Sequence, residues 1–290
     1  MSLQEKVRWL AWQGHLTPSR LLFGNESGVR SNIRARRSRS ARFRSGVVHR
    51  FPDTELEASL VRDGFALAPG AIPQDALRAV RDSLWMCEDP ARSVPMGLRI
   101  SDSVRYLVDP LAQVPQIGDF LTPFVRDVVR AWFNSEFRIQ SVRFWRIAPL
   151  PDGERSHQNY GNVWHLDRHH GQILKMFVQV SEATEEGAAT RLVSSGVTRR
   201  ALRTGLVSDR FCPPPVRRMI DDRTVSFDDP PGSLLFFDPD VCLHRAGVPP
   251  AGTVRGMVQF WFEPAESAPA GGDYLSSIPP DLSVLSLGST

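Results

Sequence analysis

The chain has 290 residues, 41% of them hydrophobic and 23% charged, a balance that suits one large folded core and excludes a disordered or fibrous chain. Its formal charge of +3 hides an asymmetry: residues 30–50 hold eight arginines and no acidic residue, which leaves −5 for everything else and argues against nucleic-acid binding by the folded part. No apolar run is long enough to cross a bilayer, MSLQEKVRWLAW lacks the apolar core of a signal peptide, and three widely spaced cysteines make no disulfide framework, so a cytoplasmic protein is expected.

In chain order, residues 4–13 have the spacing of a short helix, and GNESGVRSNIRARRSRSARFRSG after them reads as an exposed arm. Residues 1–50 thus stand apart from a domain over residues 51–264. That domain opens with DGFALAPG, a strand entering a turn, and PQDALRAVRDSLWM, a helix on which Leu77, Val80 and Leu84 recur at helical spacing. FLTPFVRDVVRAWF predicts a second amphipathic helix over 120–133. Beyond Asn134 the texture changes to short aromatic and β-branched runs separated by Pro and Gly: SVRFWRIAP, ILKMFVQVS, TRLVS, RTVSF, GSLLFFD and RGMVQFWF. They predict a mostly antiparallel sandwich or barrel preceded by helices. Between 195 and 222 runs a long connection with arginines at 199, 200, 203, 210, 217 and 218, either a solvated decoration or a grip for an acidic substrate. Residues 265–290, with APAGG and SSIPP, read as a flexible tail.

NVWHLDRHHG, at 162–171, gathers three of the chain's seven histidines. The spacing His165-x-Asp167 lets one strand end offer an imidazole and a carboxylate to a single metal ion. Such a site needs a third ligand from another strand, and His244 follows the strand GSLLFFD. Alternation along RGMVQFWF places Arg255, Met257, Gln259 and Trp261 on one face, with Gly256, Val258, Phe260 and Phe262 on the other. An arginine opening a largely apolar strand calls for an anionic partner, which a small dicarboxylate held bidentately supplies.

The order His165-x-Asp167, His244, Arg255 resembles the iron(II)- and 2-oxoglutarate-dependent dioxygenases, specifically the phytanoyl-CoA dioxygenase-like group. The resemblance covers roughly residues 60–263. VRDGFALAPGAIPQDAL is similar to that group's opening strand and helix, NVWHLD to its proximal ligand motif, and PPGSLLFFDPDVCLHRAGVPP with Arg255 to its distal motif. The fold it implies is mainly β with flanking helices, a double-stranded β-helix or jelly-roll, cupin-like barrel. His165, Asp167 and His244 would then bind Fe(II), Arg255 would pair with the distal carboxylate of 2-oxoglutarate, and O2 would be the second cosubstrate. Arg146, Gln259 and Asn162, with Gln158 and Asn159, are further candidates for contact with the keto acid or substrate. His169 and His170 either face the substrate mouth or are plain loop histidines, and Trp164 is expected to pack in the barrel wall.

The implied reaction is oxidation, above all hydroxylation, of an unactivated C–H bond in a small metabolite. The retained Asp167 argues against halogenation, for which related enzymes carry a small residue at that position. Desaturation, cyclisation and epimerisation use the same ligands and stay open. VSSGVTR stands where many members of the group carry a Pro-Gly-Ser-His turn, so substrate contacts do not transfer from relatives. The arginines at 199–218 favour an anionic substrate. Two rival classes stand beside this reading. A cupin-type isomerase or hydrolase using another metal would need neither Arg255 nor 2-oxoglutarate, and a non-catalytic binding or regulatory barrel would depend on residues 30–50.

Overall fold

The computed structural model describes residues 54–95, 103–149, 163–167, 172–182, 189–204, 212–276 and 278. The arm at 30–50, together with Gln158, Asn159, Asn162, His169, His170 and Arg210, lies outside them.

The first helix, α1 (Glu55–Asp63), begins with a reciprocal cap in which the Thr54 hydroxyl accepts from the Glu57 amide and the Glu57 carboxylate accepts from the Thr54 amide. It ends at Gly64, whose φ of +83° and amide bond to the Leu60 carbonyl close the last turn. A Cβ at Gly64 would also lie 2.7 Å from Cys242 Sγ. Strain and overlap act together there. Gly64→Ala is therefore expected to cost about 2–3 kcal/mol, read as a fall in melting temperature of roughly 5–10 °C.

Strand β1 (Phe65–Ala68) leads to α2 (Gln74–Asp82), a 3-10 turn (Leu84–Glu88), β2 (Ser93–Pro95) and β3 (Val104–Leu107). After α3 (Pro110–Gln113) comes α4 (Pro123–Phe133), capped by the Thr122 hydroxyl and started by a proline at its first position. The remaining elements are β4 (Glu136–Ile147), β5 (Leu174–Gln179), β6 (Thr190–Leu192), α5 (Ser195–Arg203), α6 (Pro214–Asp221), β7 (Val225–Phe227), β8 (Leu234–Phe237), β9 (His244–Arg245) and β10 (Arg255–Ala265). They form a seven-stranded sheet in the order β1-β8-β5-β10-β4-β3-β2 and a three-stranded sheet in the order β7-β6-β9. Every pairing is antiparallel.

Alternation assigns each face of the large sheet. Leu234 and Phe236 of β8, Met176 and Val178 of β5, and Phe260 and Phe262 of β10 pack with Leu77 and Val80 of α2 and Val125, Val129 and Phe133 of α4. Their neighbours along the same strands, Leu235, Phe237, Phe177 and Met257, meet Leu192 and Phe227 of the small sheet. Both faces are thus buried, and the second carries Lys175, Gln179, Arg255 and Gln259 beside its apolar residues. The outer side of the small sheet is covered by α5 and α6 through Ala201, Val216 and Ile220, which pack with Trp164, Val193 and Leu243. Neither sheet closes on itself: the expected barrel is a pair of facing, open sheets with helices on both outer sides.

Two sequence expectations change. The arginine-rich connection contains two helices, whose polar faces carry Arg199, Arg200, Arg203 and Arg218 exposed to solvent. The C-terminal tail does not detach at residue 265. Tyr274 is 3% exposed, stacks on Phe137 with centroids 4.4 Å apart, and donates to Glu136 Oε2 at 2.6 Å.

Candidate metal centre

His165 reaches its position through backbone pairing. Its amide donates to the His244 carbonyl and its carbonyl accepts from the His244 amide, both at 3.1 Å, so it joins the small sheet beside β9 by a single bridge. Asp167 is placed by its amide bond to the Pro239 carbonyl at 3.2 Å. His244 is delivered by the turn after β8, where the Asp238 carbonyl accepts from Cys242 and the Asp238 carboxylate accepts from the Asp240 amide. The proximal and distal motifs are thereby fastened to each other by main chain before any side chain is considered.

Each imidazole is oriented by a main-chain carbonyl. His165 Nδ1 lies 2.8 Å from the Val163 carbonyl and His244 Nδ1 lies 2.9 Å from the Cys242 carbonyl. A carbonyl can only accept, so each Nδ1 bears a proton, and in the neutral ring that leaves Nε2 with the lone pair. Both Nε2 atoms face the same oxygen, Asp167 Oδ1, at 3.4 and 3.5 Å. The three donor atoms lie within 4.8 Å of one another. Burial together with the nearby His165 holds His244 below the usual imidazole range, which keeps it neutral and ready as a ligand. Burial alone would raise the Asp167 carboxyl, but the Lys175 ammonium above all opposes it, and the group is held well below the usual carboxylate range.

Lys175 was not among the expected site residues. It is 5% exposed on β5, its ammonium donates to Asp167 Oδ2, and it lies 4.1 Å from the Trp261 ring centroid. Asp167 therefore turns one oxygen to the histidines and the other to a lysine. A lone lysine inside ILKMFVQV, on the same strand face as Phe177 and Gln179, was the available signal. Burial in an apolar strand demands a charged partner.

The centre opens into a cavity of about 260 Å³ whose walls include Arg143, Trp145, Arg255, Met257, Gln259 and Trp261. All four residues expected on one face of β10 line it. Arg255 is fully buried: Nη2 donates to Thr190 Oγ1 and contacts Met257 Sδ at 3.3 Å, whereas Nε and Nη1 have no partner among the described residues. Burial lowers its pKa to about 10, leaving it cationic at neutral pH. Gln259 is buried with Oε1 unpartnered. Arg146 is a correction. It sits on the opposite face of β4 and bonds Glu88 Oε1 at 2.6 Å, while strand alternation turns Arg143 and Trp145 into the cavity.

Two histidines and one carboxylate converging from neighbouring chain segments form a facial triad, a donor set suited to a non-haem Fe(II) that keeps open positions. The half-satisfied guanidinium of Arg255 in the same cavity fits one end of a carboxylate-bearing molecule.

No protein-family model matches the sequence, and no curated protein matches it significantly. Solved structures do match. The non-haem α-ketoglutarate-dependent epimerase SnoN from nogalamycin biosynthesis superposes with a TM-score of 0.55 at 16% identity, over 78% of this chain and 88% of its own. EctD from S. alaskensis, solved with 2-oxoglutarate and 5-hydroxyectoine, gives 0.54 at 17% identity over 75% and 80%. The chain therefore shares the fold of these two structures, a double-stranded β-helix-like arrangement of two sheets.

Proposed function

We propose that this protein is an Fe(II)- and 2-oxoglutarate-dependent oxygenase acting on a small metabolite, with hydroxylation of an unactivated C–H bond as its reaction. The observation that carries the reading is the pairing, in one cavity, of the His165, Asp167 and His244 triad with a buried Arg255 that retains two unpartnered guanidinium nitrogens. A cupin-type site using a metal alone has no need of that cation. The resemblance of the sequence motifs to the phytanoyl-CoA dioxygenase-like group supports a place in that group, and three free cysteines suit a reducing cytoplasm.

In this reading His165 and His244 give their Nε2 atoms and Asp167 gives Oδ1, while Lys175 occupies Oδ2 and keeps the carboxylate from turning. Arg255 and the Thr190 hydroxyl receive the distal carboxylate of 2-oxoglutarate. When bound, the iron and the keto acid supply oxygen activation coupled to decarboxylation to succinate. Asp167 fills the position that a halide would need, so the product is oxygenated rather than halogenated. Ile147, Phe177 and Met257 line the cavity beside the centre and limit the water that reaches it.

The test is anaerobic titration of the apoprotein with Fe(II) and then 2-oxoglutarate, following the visible charge-transfer absorption of the chelate. A saturable band is expected. Confirmed metal uptake with no band at any 2-oxoglutarate concentration would return the site to the other-metal class.

A further inference from the structure

A buried cation sits against the one carboxylate of the triad. Lys175 is on β5, between β8 and β10, in register with Phe237 on one side and Trp261 on the other. Its ammonium donates to Asp167 Oδ2 and lies over the Trp261 ring, 4.1 Å from the centroid. The side chain is buried and lines the cavity, so its charge is felt inside the site and little screened by bulk water. Burial pulls the ammonium toward deprotonation and Asp167 opposes that pull, while Arg143 and Asp240 act on it in opposite senses.

Stability gives no reason for a cation at this place. A buried ion pair is often no better than two apolar side chains of similar volume. Nor does a metal-bound carboxylate need a lysine to stay ionised, since the metal alone ensures it. What the ammonium changes is the charge of the whole centre. Two imidazoles, which ligate as neutral rings, one carboxylate and one ammonium sum to zero. Filled by Fe(II) the group carries +2 and by Fe(III) +3, where without the ammonium it would carry +1 and +2. The cost of burying charge grows steeply with its size. The step to Fe(III) is therefore harder beside Lys175 than it would be without it.

We propose that Lys175 poises the metal of this centre toward the ferrous state, its buried ammonium acting through Asp167 Oδ2 against any further positive charge on the iron. The inference rests on the function proposed above and adds to it a guard against loss of the working metal to an inactive ferric form. Lys175 touches neither metal nor substrate in this arrangement. It is a positioning residue that places a charge as well as a carboxylate.

The experiment uses full-length protein loaded with Fe(II) under argon and poised with soluble redox mediators, which take one electron from the bound iron or return it. Protein-bound Fe(III) is read by its high-spin electron paramagnetic resonance and Fe(II) by chelator colour, for wild type, Lys175→Gln, Lys175→Met and Lys175→Arg. Glutamine can still donate to Oδ2 but brings no charge, methionine does neither, and arginine does both. Because the ratio of Fe(III) to Fe(II) compares two loaded states, changes in the apoprotein cancel. At one applied potential the ratio should rise about 10- to 100-fold in Lys175→Gln and Lys175→Met, the effect of a unit charge a few ångströms from the metal. Lys175→Arg should stay within about threefold of wild type. Circular dichroism checks each fold, and the glutamine variant keeps a partner for Asp167 should the methionine variant misfold. An unchanged ratio in both neutral variants overturns the inference. So does an equal rise in Lys175→Arg, or a rise in Lys175→Met alone, which would assign the effect to the angle of the carboxylate and not to charge. Failure of wild type to take up Fe(II) at all is a different result, and overturns the function on which the inference rests.

Discussion

Replacing Arg255 with methionine is expected to weaken 2-oxoglutarate binding by at least 100-fold while making the ligand-free protein more stable. The two effects share one cause. Arg255 is fully buried with Nε and Nη1 unpartnered among the described residues, so in the absence of an anion it carries a desolvation cost that no carboxylate among those residues offsets. Methionine fills much of the same volume without the charge, and a gain of about 1–3 kcal/mol is expected in the apoprotein. The same replacement removes the charge-assisted bonds to the distal carboxylate and buries that carboxylate against an apolar side chain, a loss of about 3–5 kcal/mol. Calorimetric titration with 2-oxoglutarate and thermal melts with and without it give both numbers. Wild type should gain stability from the ligand and the variant should not. A variant that melted lower than wild type without ligand would show that Arg255 is held by the protein itself and is not waiting for an anion.

The second large effect is expected at Asp167, and it should exceed that of either histidine. Asp167→Ala removes the one anionic ligand of the triad and also strands the Lys175 ammonium, which is 5% exposed and donates to Asp167 Oδ2. Breaking a buried pair from one side costs about 3–5 kcal/mol, or roughly 6–15 °C in melting temperature for a chain of this size. His244→Ala leaves no such orphan, and because its bonds to His165 are between backbone groups the bridge should persist. Adding Lys175→Met to Asp167→Ala should recover most of the lost stability and none of the metal binding. Melting curves and Mn(II) titrations of the single and double variants separate the two roles. If the double variant melted no higher than Asp167→Ala, the lysine and aspartate would not form an energetic unit.

The limits of the sequence as a guide are clearest where two residues compete for one place. Period-two alternation was enough to group Arg255, Met257, Gln259 and Trp261, because β10 is a long strand with one polar-decorated face. On β4 the same rule separates Arg143 from Arg146, three positions apart, yet it cannot say which of them faces inward. That is fixed by pairing: Arg143 lies against Gln259 and Arg146 against Gly256, and pairing is a tertiary fact. The triad was legible because metal ligation restricts residue types so narrowly. Lys175 was passed over as one more strand residue, although a charge in a doubly buried strand always needs an answer. Residues 195–222 looked irregular because their arginines masked a helical repeat, Val197 with Ala201 and Val216 with Ile220, four apart on one face of each helix.

The main-chain bridge between His165 and His244 also says when in the life of the molecule the metal arrives. The two ligands are 79 positions apart in the chain, and contacts of such separation form only after the intervening strands have paid the entropy of closing the loop. The scaffold that joins them is made of hydrogen bonds and apolar packing, none of which requires an ion. Synthesis in iron-starved cells should therefore yield a folded, metal-free protein that becomes competent on later addition of iron. Supply of the metal then sets how much of the protein is working, independently of how much has been made.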